Sequence, residues 1–297
     1  MRIIQEETFN KVYEMALEQL LEYPEHTSVS PRGMEIKEIE DMILVLDNPY
    51  SNLFHNKFRS IPLNYLAGEL IWYFSGRRDL AFIKKFSSFW DKLSDDGKNV
   101  NSAYGDLLFT INDTADETNQ WTWALNSLLH DKDSRQAIMH FNRPEHQFQG
   151  VKDFVCTLGA QFLIRDNRLN MKVIMRSNDI YYGLTYDLPF FTLLQQQMLR
   201  HLRVKYDNLE MGNYLHHAMS FHCYDRNFSD LQNMLEEQFN QDGMPELDTD
   251  LIFPNGRSSY NLVQLMDAVE NNKKYETTSA ILNWLYNNAR KVRSGSN

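Results

Sequence analysis

The chain has 297 residues, 42% of them apolar, and a formal net charge of −10. That length and apolar share can bury a full core in one large domain. The acidic balance argues against a nucleic-acid binder, whose surface must neutralise phosphates with Lys and Arg. The two cysteines, Cys156 and Cys223, make neither a disulfide framework nor a zinc signature, and they fit a reducing cytoplasm. The opening MRIIQEETFNKV lacks the apolar run of a signal peptide, and nowhere do about 18 apolar residues run together as a membrane span requires. The expectation is a soluble cytoplasmic protein (host cytoplasm if viral), with no membrane partner. No linker-like stretch divides the chain, so one domain over 1–297 is expected, with a polar, disordered tail at about 290–297.

In chain order, Phe9, Val12, Tyr13, Ala16, Leu17 and Leu20 fall at helical spacing and predict an amphipathic helix over Glu6–Tyr23. Met34–Leu46 reads as strand. Helices are predicted over Pro62–Phe74, Asp79–Leu93 and Asn119–His130, then a strand over Gln136–Phe141. Val155–Ile164 and Leu169–Met175 read as two strands joined by the polar turn Arg165-Asp166-Asn167-Arg168. A buried helix over Pro189–Leu202 would have Pro in its first turn. Tyr214–Tyr224 reads as strand and Phe228–Phe239 as helix. The sum is an α+β fold, a mixed or antiparallel sheet with helices packed on it.

The residues able to carry chemistry concentrate between Asp153 and Asp187. Cys156 is either a small buried hydrophobe or a thiolate nucleophile, and a thiolate needs positive charge nearby. Arg176-Ser177 could be an exposed arginine beside a turn serine, or a fork for phosphate oxygens within reach of a hairpin partner. Glu69 sits in LNYLAGELIWYF, apolar nearly all round, where a lone carboxylate is costly unless paired or functional. Burial would suit it to moving protons. Asp179 and Asp187 flank the glycine-bearing YYGLTY and could be simple caps. His222 and Tyr224 share one face of a strand, either as structural hydrogen-bonding groups or as a pair for ribose hydroxyls. Cys223 points the other way and reads as core filler.

Taken together, these segments resemble the thymidylate synthase superfamily. ELIWYFSG, WDKL with SAYGD, DSRQ, MRSNDIYYGL and FHCYD run in family order from about Pro31 to Tyr224. Within it the likeness is to the deoxycytidylate 5-hydroxymethylase branch known from T-even phages, carried by DFVCT, QFLIRD, MRSND and Asp187. Ordinary thymidylate synthases usually have Pro-Cys-His at the nucleophile and Asn at the base-reading position. Here Val155-Cys156-Thr157 and Asp187 stand in those places. Uracil offers an N–H donor at position 3 and a carbonyl acceptor at position 4, which an amide complements. Cytosine reverses them, with an acceptor at 3 and an amino donor at 4, and an Asp can accept from the amino group and, if protonated, donate to the ring nitrogen. A buried mismatch costs about 1–3 kcal/mol per unpaired group.

The resemblance implies a homodimer built on a sheet face, a pyrimidine nucleoside monophosphate substrate, 5,10-methylenetetrahydrofolate as co-substrate, and no metal. It implies Cys156 as nucleophile toward carbon 6 of the base, Glu69 as proton handler, Tyr104 as an aid to the chemistry of the base, and Asp187 as its reader. Arg32, Arg176 and Ser177 would hold phosphate, with Arg135 reaching in from a second subunit. His222 and Tyr224 would hold the sugar. Glu69, Trp90, Asp179, Gly183 and Tyr186 would form the folate site. Gln136 stands where many relatives have a second arginine, and Arg143 is the candidate to replace it. Leu93 replaces an expected tryptophan, and the closing tail of synthases is not recognisable in RKVRSGSN. The implied reaction is 5-hydroxymethylation of dCMP, or of CMP. The alternatives are a uridylate-directed synthase or hydroxymethylase, a non-catalytic nucleotide-binding relative, and a Cys–His–Asp hydrolase, which lacks an oxyanion-hole signature.

Overall fold

A computed structural model describes residues 1–111, 115 and 118–290, apart from the side chains of Arg32, Gln241 and Asp242. The strands are β1 (Arg2–Glu6), β2 (Ile36–Leu46), β3 (Leu53–Asn56), β4 (Ile138–His140), β5 (Thr157–Arg165), β6 (Arg168–Met175), β7 (Asn178–Asp179), β8 (Glu210–Tyr224) and β9 (Phe239–Asp242). The α-helices are α1 (Phe9–Glu22), α2 (Leu63–Phe74), α3 (Leu80–Ile83), α4 (Phe89–Leu93), α5 (Gln120–His130), α6 (Leu184–Leu202), α7 (Phe228–Glu236), α8 (Tyr260–Glu270) and α9 (Ala280–Ala289). The chain forms two compact units from interleaved segments. The first takes Met1–Ile61, Cys156–Leu199 and Asn208–Met244, and the second takes Pro62–Val155, Arg200–Asp207 and Pro245–Asn297.

The first unit is organised by a mixed sheet in the order β1-β2-β8-β6-β5, with β7 also pairing on β8. β1 runs parallel to β2, β2 antiparallel to β8, β8 parallel to β6, and β6 antiparallel to β5. The β5–β6 hairpin closes as its polar turn predicts: Asp166 and Asn167 have φ of 50° and 57°, the left-handed region that Asp and Asn tolerate best after Gly. Side chains alternate along β6 and β8. Leu169, Met171, Val173, Met175, Tyr214, His216 and Ala218 are buried, whereas Ile174 and Met219 are exposed. The core of this unit includes the apolar stripe of α1, with Phe9, Val12, Tyr13, Ala16, Leu17 and Leu20 all sealed. From α6 come Leu188, Phe190, Phe191, Leu194 and Met198.

In the second unit α2 is apolar nearly all round, with Glu69 the exception, and it is buried from Leu66 to Phe74 without a break. Asn119 caps α5 by accepting the Thr122 N–H at 2.9 Å. The predicted helix over 79–93 is instead two short ones. Asp79 caps α3 by accepting from Phe82 N–H at 3.0 Å, and the chain breaks at Ser87-Ser88 before α4. The predicted strand over 136–141 shrinks to β4, because the Gln136 carbonyl is taken by Ile138 N–H at 2.7 Å and by the Trp123 indole at 3.1 Å.

Two further differences bear on function. Helix α6 begins at Leu184, five residues earlier than expected, so Pro189 lies inside it and Asp187 belongs to its first turn. Helix α7 stops at Glu236, and Phe239 opens β9, which pairs antiparallel with β3. Strands β1, β3 and β9 and helices α8 and α9 go beyond the expected elements. The tail from residue 291 lies outside the described residues. No helix among the described residues is long and apolar enough to cross a membrane.

Candidate active site

Cys156 lies immediately before β5, half-buried, opposite the end of β6. The hairpin makes that placement. Its register pairs Thr157 with Met175, and the next residue, Arg176, donates its backbone N–H to the Cys156 carbonyl at 2.9 Å. The same arginine turns its side chain back, and Nη2 donates to Cys156 Sγ at 3.6 Å. One residue thus fixes the cysteine backbone and sets a guanidinium beside its sulfur. Ser177 follows, half-buried.

Beyond Ser177 the chain enters β7. Asn178 is 2% exposed, and its Nδ2 donates to Asp187 Oδ2 at 2.9 Å. Asp187 is held in the first turn of α6, where Tyr186 and Asp187 both donate their backbone N–H to the Gly183 carbonyl, at 2.9 and 3.0 Å. Gly183 has to be glycine for reasons of space: a Cβ there would lie 2.8 Å from the Asp179 carbonyl and 2.9 Å from Asn178 Nδ2. Near this carboxylate runs a buried polar pair in β8, where the Tyr214 hydroxyl and His216 Nδ1 share a hydrogen bond of 2.9 Å. Burial pushes His216 down to about 3 and raises Tyr214 well above its usual range, with the Asp187 charge adding to the latter.

Asp179 pairs in register with His222 across β7 and β8. Its carboxylate accepts the Tyr181 N–H at 2.9 Å. Burial pushes the Asp179 carboxyl up, opposed by His222, by the Tyr181 and Tyr182 amides and by Arg226. The His222 ring meets Tyr224 edge-on at 5.1 Å, and the Arg226 guanidinium lies 4.9 Å from the Tyr224 ring centre. Arg59 lies against the same segment. Its guanidinium sits 3.7 Å over the Tyr181 ring, and Nη2 donates to the Tyr181 carbonyl at 2.7 Å. Cys156, Arg176, Ser177, Asp179, Gly183, Tyr186, Asp187, His222 and Tyr224 all belong to the first unit. Arg32 belongs to it by its backbone, in the short 3-10 turn Pro31–Gly33, and its side chain lies outside the described residues.

The second unit holds Glu69, Trp90, Tyr104 and Arg135. Glu69 is 5% exposed, and its Oε1 accepts from the Tyr65 hydroxyl at 2.5 Å, one helical turn earlier. Tyr104 stacks on Tyr73 with ring centres 5.0 Å apart, and it meets Phe141 edge-on at 5.1 Å. Trp90 packs against Trp72 at 5.6 Å, and its indole N–H finds no hydrogen-bond partner among the described residues. Arg135 is exposed in the turn after α5. Arg143 donates to the Leu107 carbonyl at 3.1 Å and faces Asp106, whose carboxyl is pushed up by burial. No cluster of three or more His, Cys, Asp or Glu side chains among the described residues is arranged to hold a metal ion.

Residues 13–276 match the sequence model of the thymidylate synthase family. The chain belongs to that family. It is 28% identical over 255 residues to a deoxyuridylate hydroxymethyltransferase of Bacillus phage SP01, a match spanning 80% of this chain and 65% of that protein's length. It is 29% identical over 210 residues to a deoxycytidylate 5-hydroxymethyltransferase of Enterobacteria phage T4, spanning 67% of this chain and 80% of that one. Among solved structures, a thermostable thymidylate synthase A from Bacillus subtilis superposes with a TM-score of 0.63 at 19% identity, covering 79% of this chain and 86% of that one, which supports the fold.

Sequence reasoning missed Tyr65, Asn178, Arg59 and the Tyr214–His216 pair. Tyr65 was open to discovery, since it precedes Glu69 by one helical turn. Asn178 was not, because its contact with Asp187 exists only after β7 and α6 fold against each other.

Proposed function

We propose that the protein is a cytidylate 5-hydroxymethylase, acting on dCMP or CMP. The observation that carries this reading is an acid at the base-reading position: Asp187 sits in the first turn of α6 with the Asn178 amide N–H on its Oδ2 at 2.9 Å. A carboxylate satisfied in that way presents two acceptors, which suit the exocyclic amino group together with a cytosine ring nitrogen that has taken up a proton, and oppose the carbonyl of uracil.

The residues divide the work as follows. Cys156 adds to carbon 6 of the base, which makes carbon 5 nucleophilic. Arg176, 3.6 Å from the sulfur, supplies the positive charge a thiolate needs, and with Ser177 and Arg32 it takes the phosphate. His222 and Tyr224 hold the sugar. Glu69, fixed by Tyr65, moves protons, and Tyr104 supports the chemistry at the base. Carbon 5 receives the one-carbon unit, and water, in place of a hydride, then completes the hydroxymethyl group. Methylenetetrahydrofolate supplies that one-carbon unit when bound. The residues of this chain fit such a group. Asp179, its carboxyl pushed up by burial, can share a proton with an N–H edge, and Tyr186, in the same unit, offers an aromatic surface.

The pattern of exposure on the sheet supports a homodimer. Ile3, Ile174 and Met219 are 60%, 40% and 43% exposed, apolar groups set among polar ones such as Lys172 and His217 on a face that a second copy would cover. Arg135, exposed after α5, would reach into the partner's phosphate site.

A uridylate hydroxymethylase is the second reading, favoured by the 80% of this chain that aligns with the phage SP01 protein. One assay separates the two. The protein is incubated with methylenetetrahydrofolate and each of dCMP, CMP, dUMP and UMP, and products are identified by mass. A hydroxymethylated cytosine nucleotide is expected. A hydroxymethylated uracil nucleotide as the main product supports the second reading, and a methylated dUMP overturns both. Changing Asp187→Asn is expected to shift preference toward uracil.

A further inference from the structure

We propose that Asn178 is a positioning residue that sets base preference, its side-chain amide holding the Asp187 carboxylate as a hydrogen-bond acceptor toward the base. This inference rests on the reading of Asp187 as the group that meets the base. The geometry leaves the amide little freedom. Asn178 is 2% exposed, its backbone pairs with Phe221 in β8, and Nδ2 lies 2.9 Å from Asp187 Oδ2 and 3.4 Å from Met175 Sδ. The Gly183 backbone closes the other side, so tightly that a Cβ there would come within 2.9 Å of Nδ2.

The chemistry of the pair follows from its donors and acceptors. With Asp187 ionised, the amide has one good orientation, because turning it over would set Oδ1 against a carboxylate oxygen, acceptor to acceptor. Oδ1 is buried and has no hydrogen-bond partner among the described residues, so no other contact of that oxygen decides the orientation. A carboxyl able to donate to a uracil carbonyl must carry a proton, and that proton competes with the Asn178 N–H for the same group. The first turn of α6 adds to the bias, since the amides at a helix N-terminus favour negative charge. Thus the residue nine positions earlier in the chain decides which half of the carboxyl chemistry the base encounters.

The test compares the unsubstituted protein with Asn178→Ala and Asn178→Asp. For dCMP and dUMP it measures kcat/KM with methylenetetrahydrofolate, Kd by calorimetry, and the melting temperature of each protein. Removing the amide in Asn178→Ala is expected to lower kcat/KM on dCMP by about ten- to a hundredfold, the scale of one hydrogen bond to a charged group, with dUMP changed far less. Asn178→Asp is close to isosteric, and two carboxylates within hydrogen-bond distance share a proton. That gives Asp187 a donor, so binding of dUMP is expected to rise in absolute terms, a gain that loss of structure does not produce. An unchanged dCMP to dUMP ratio in both variants, or an equal loss on both nucleotides, overturns the proposal. A preference for dUMP in the unsubstituted protein overturns the base-reading role of Asp187 first and this inference with it. The two failures are told apart because that one needs no substitution.

Discussion

The two cysteines occupy opposite environments in the same unit. Cys156 stands at the open end of the β5–β6 hairpin, half-buried, with a guanidinium 3.6 Å from its sulfur. Cys223 lies within β8, fully buried, its thiol pushed up to about 12 by burial, with Asp179 adding to the rise. The residue type is the same, and the difference is made by what the fold brings near: a cation at a strand end, or apolar side chains and a carboxylate in a strand interior. That contrast is what makes Cys156, at the strand end, the candidate nucleophile of the two.

The largest test of that contrast is Cys156→Ser. Product formation is expected to fall by at least about a thousandfold, as for loss of a covalent nucleophile, while nucleotide Kd measured by calorimetry changes less than about tenfold. Loss of binding in proportion to loss of turnover would mean that the sulfur is structural. Alkylation sharpens the same comparison. At pH 8 a thiol with a pKa of about 12 is ionised to roughly one part in ten thousand. Iodoacetamide should modify Cys156 first by at least about a hundredfold, as read by peptide mass, with dCMP slowing the reaction. Equal labelling of both cysteines in the folded protein would remove the contrast.

The burial that silences Cys223 also acts on His216, in the same strand. Its folded pKa is depressed by burial to about 3, from the ordinary histidine value of about 6.5, so the unfolded chain binds more protons between those limits. The contribution of His216 is fully present above pH 6.5 and declines as pH falls toward 3, by about 1.4 kcal/mol per pH unit. Denaturant unfolding between pH 7 and 4.5 should show this slope. His216→Gln, which keeps a polar partner for the Tyr214 hydroxyl without titrating, should flatten it by about one proton. An unchanged slope would mean that the ring is protonated within the fold.

These tests also mark what could be read from the sequence. The β5–β6 hairpin was legible because a polar turn separates two apolar runs, and the same reading put Cys156 and Arg176 at one end. Glu69 was legible as an acid on an otherwise apolar helix. What escaped depended on pairing between distant segments. Strand β1 is short and has no alternation of its own, and its place is fixed by register with Met42–Leu46. The start of α6 escaped because Pro189 is a strong local signal for a helix start, yet the Gly183 carbonyl had already closed the first turn by accepting from Tyr186 and Asp187. That shift moves Asp187 from a loop onto a helix end. The Asn178–Asp187 contact has no local signature at all.

The smallest effect expected is at Cys223 itself. If the thiol is only a small apolar group in the core, Cys223→Ala removes little more than one buried sulfur. The expected cost is about 1 kcal/mol of stability, seen as a fall of a few degrees in melting temperature. Turnover should change less than about twofold. The sensitive part of this prediction is its neighbours, because His222 and Tyr224 flank the position and point to the other face of β8. If the strand holds its register, the roles proposed for them toward the sugar are unaffected, and KM for the nucleotide is expected to stay within experimental scatter. A raised KM with an unchanged melting temperature would show that the sulfur helps to set the pitch of the strand beneath His222 and Tyr224, and the division between a working cysteine and an inert one would have to be redrawn.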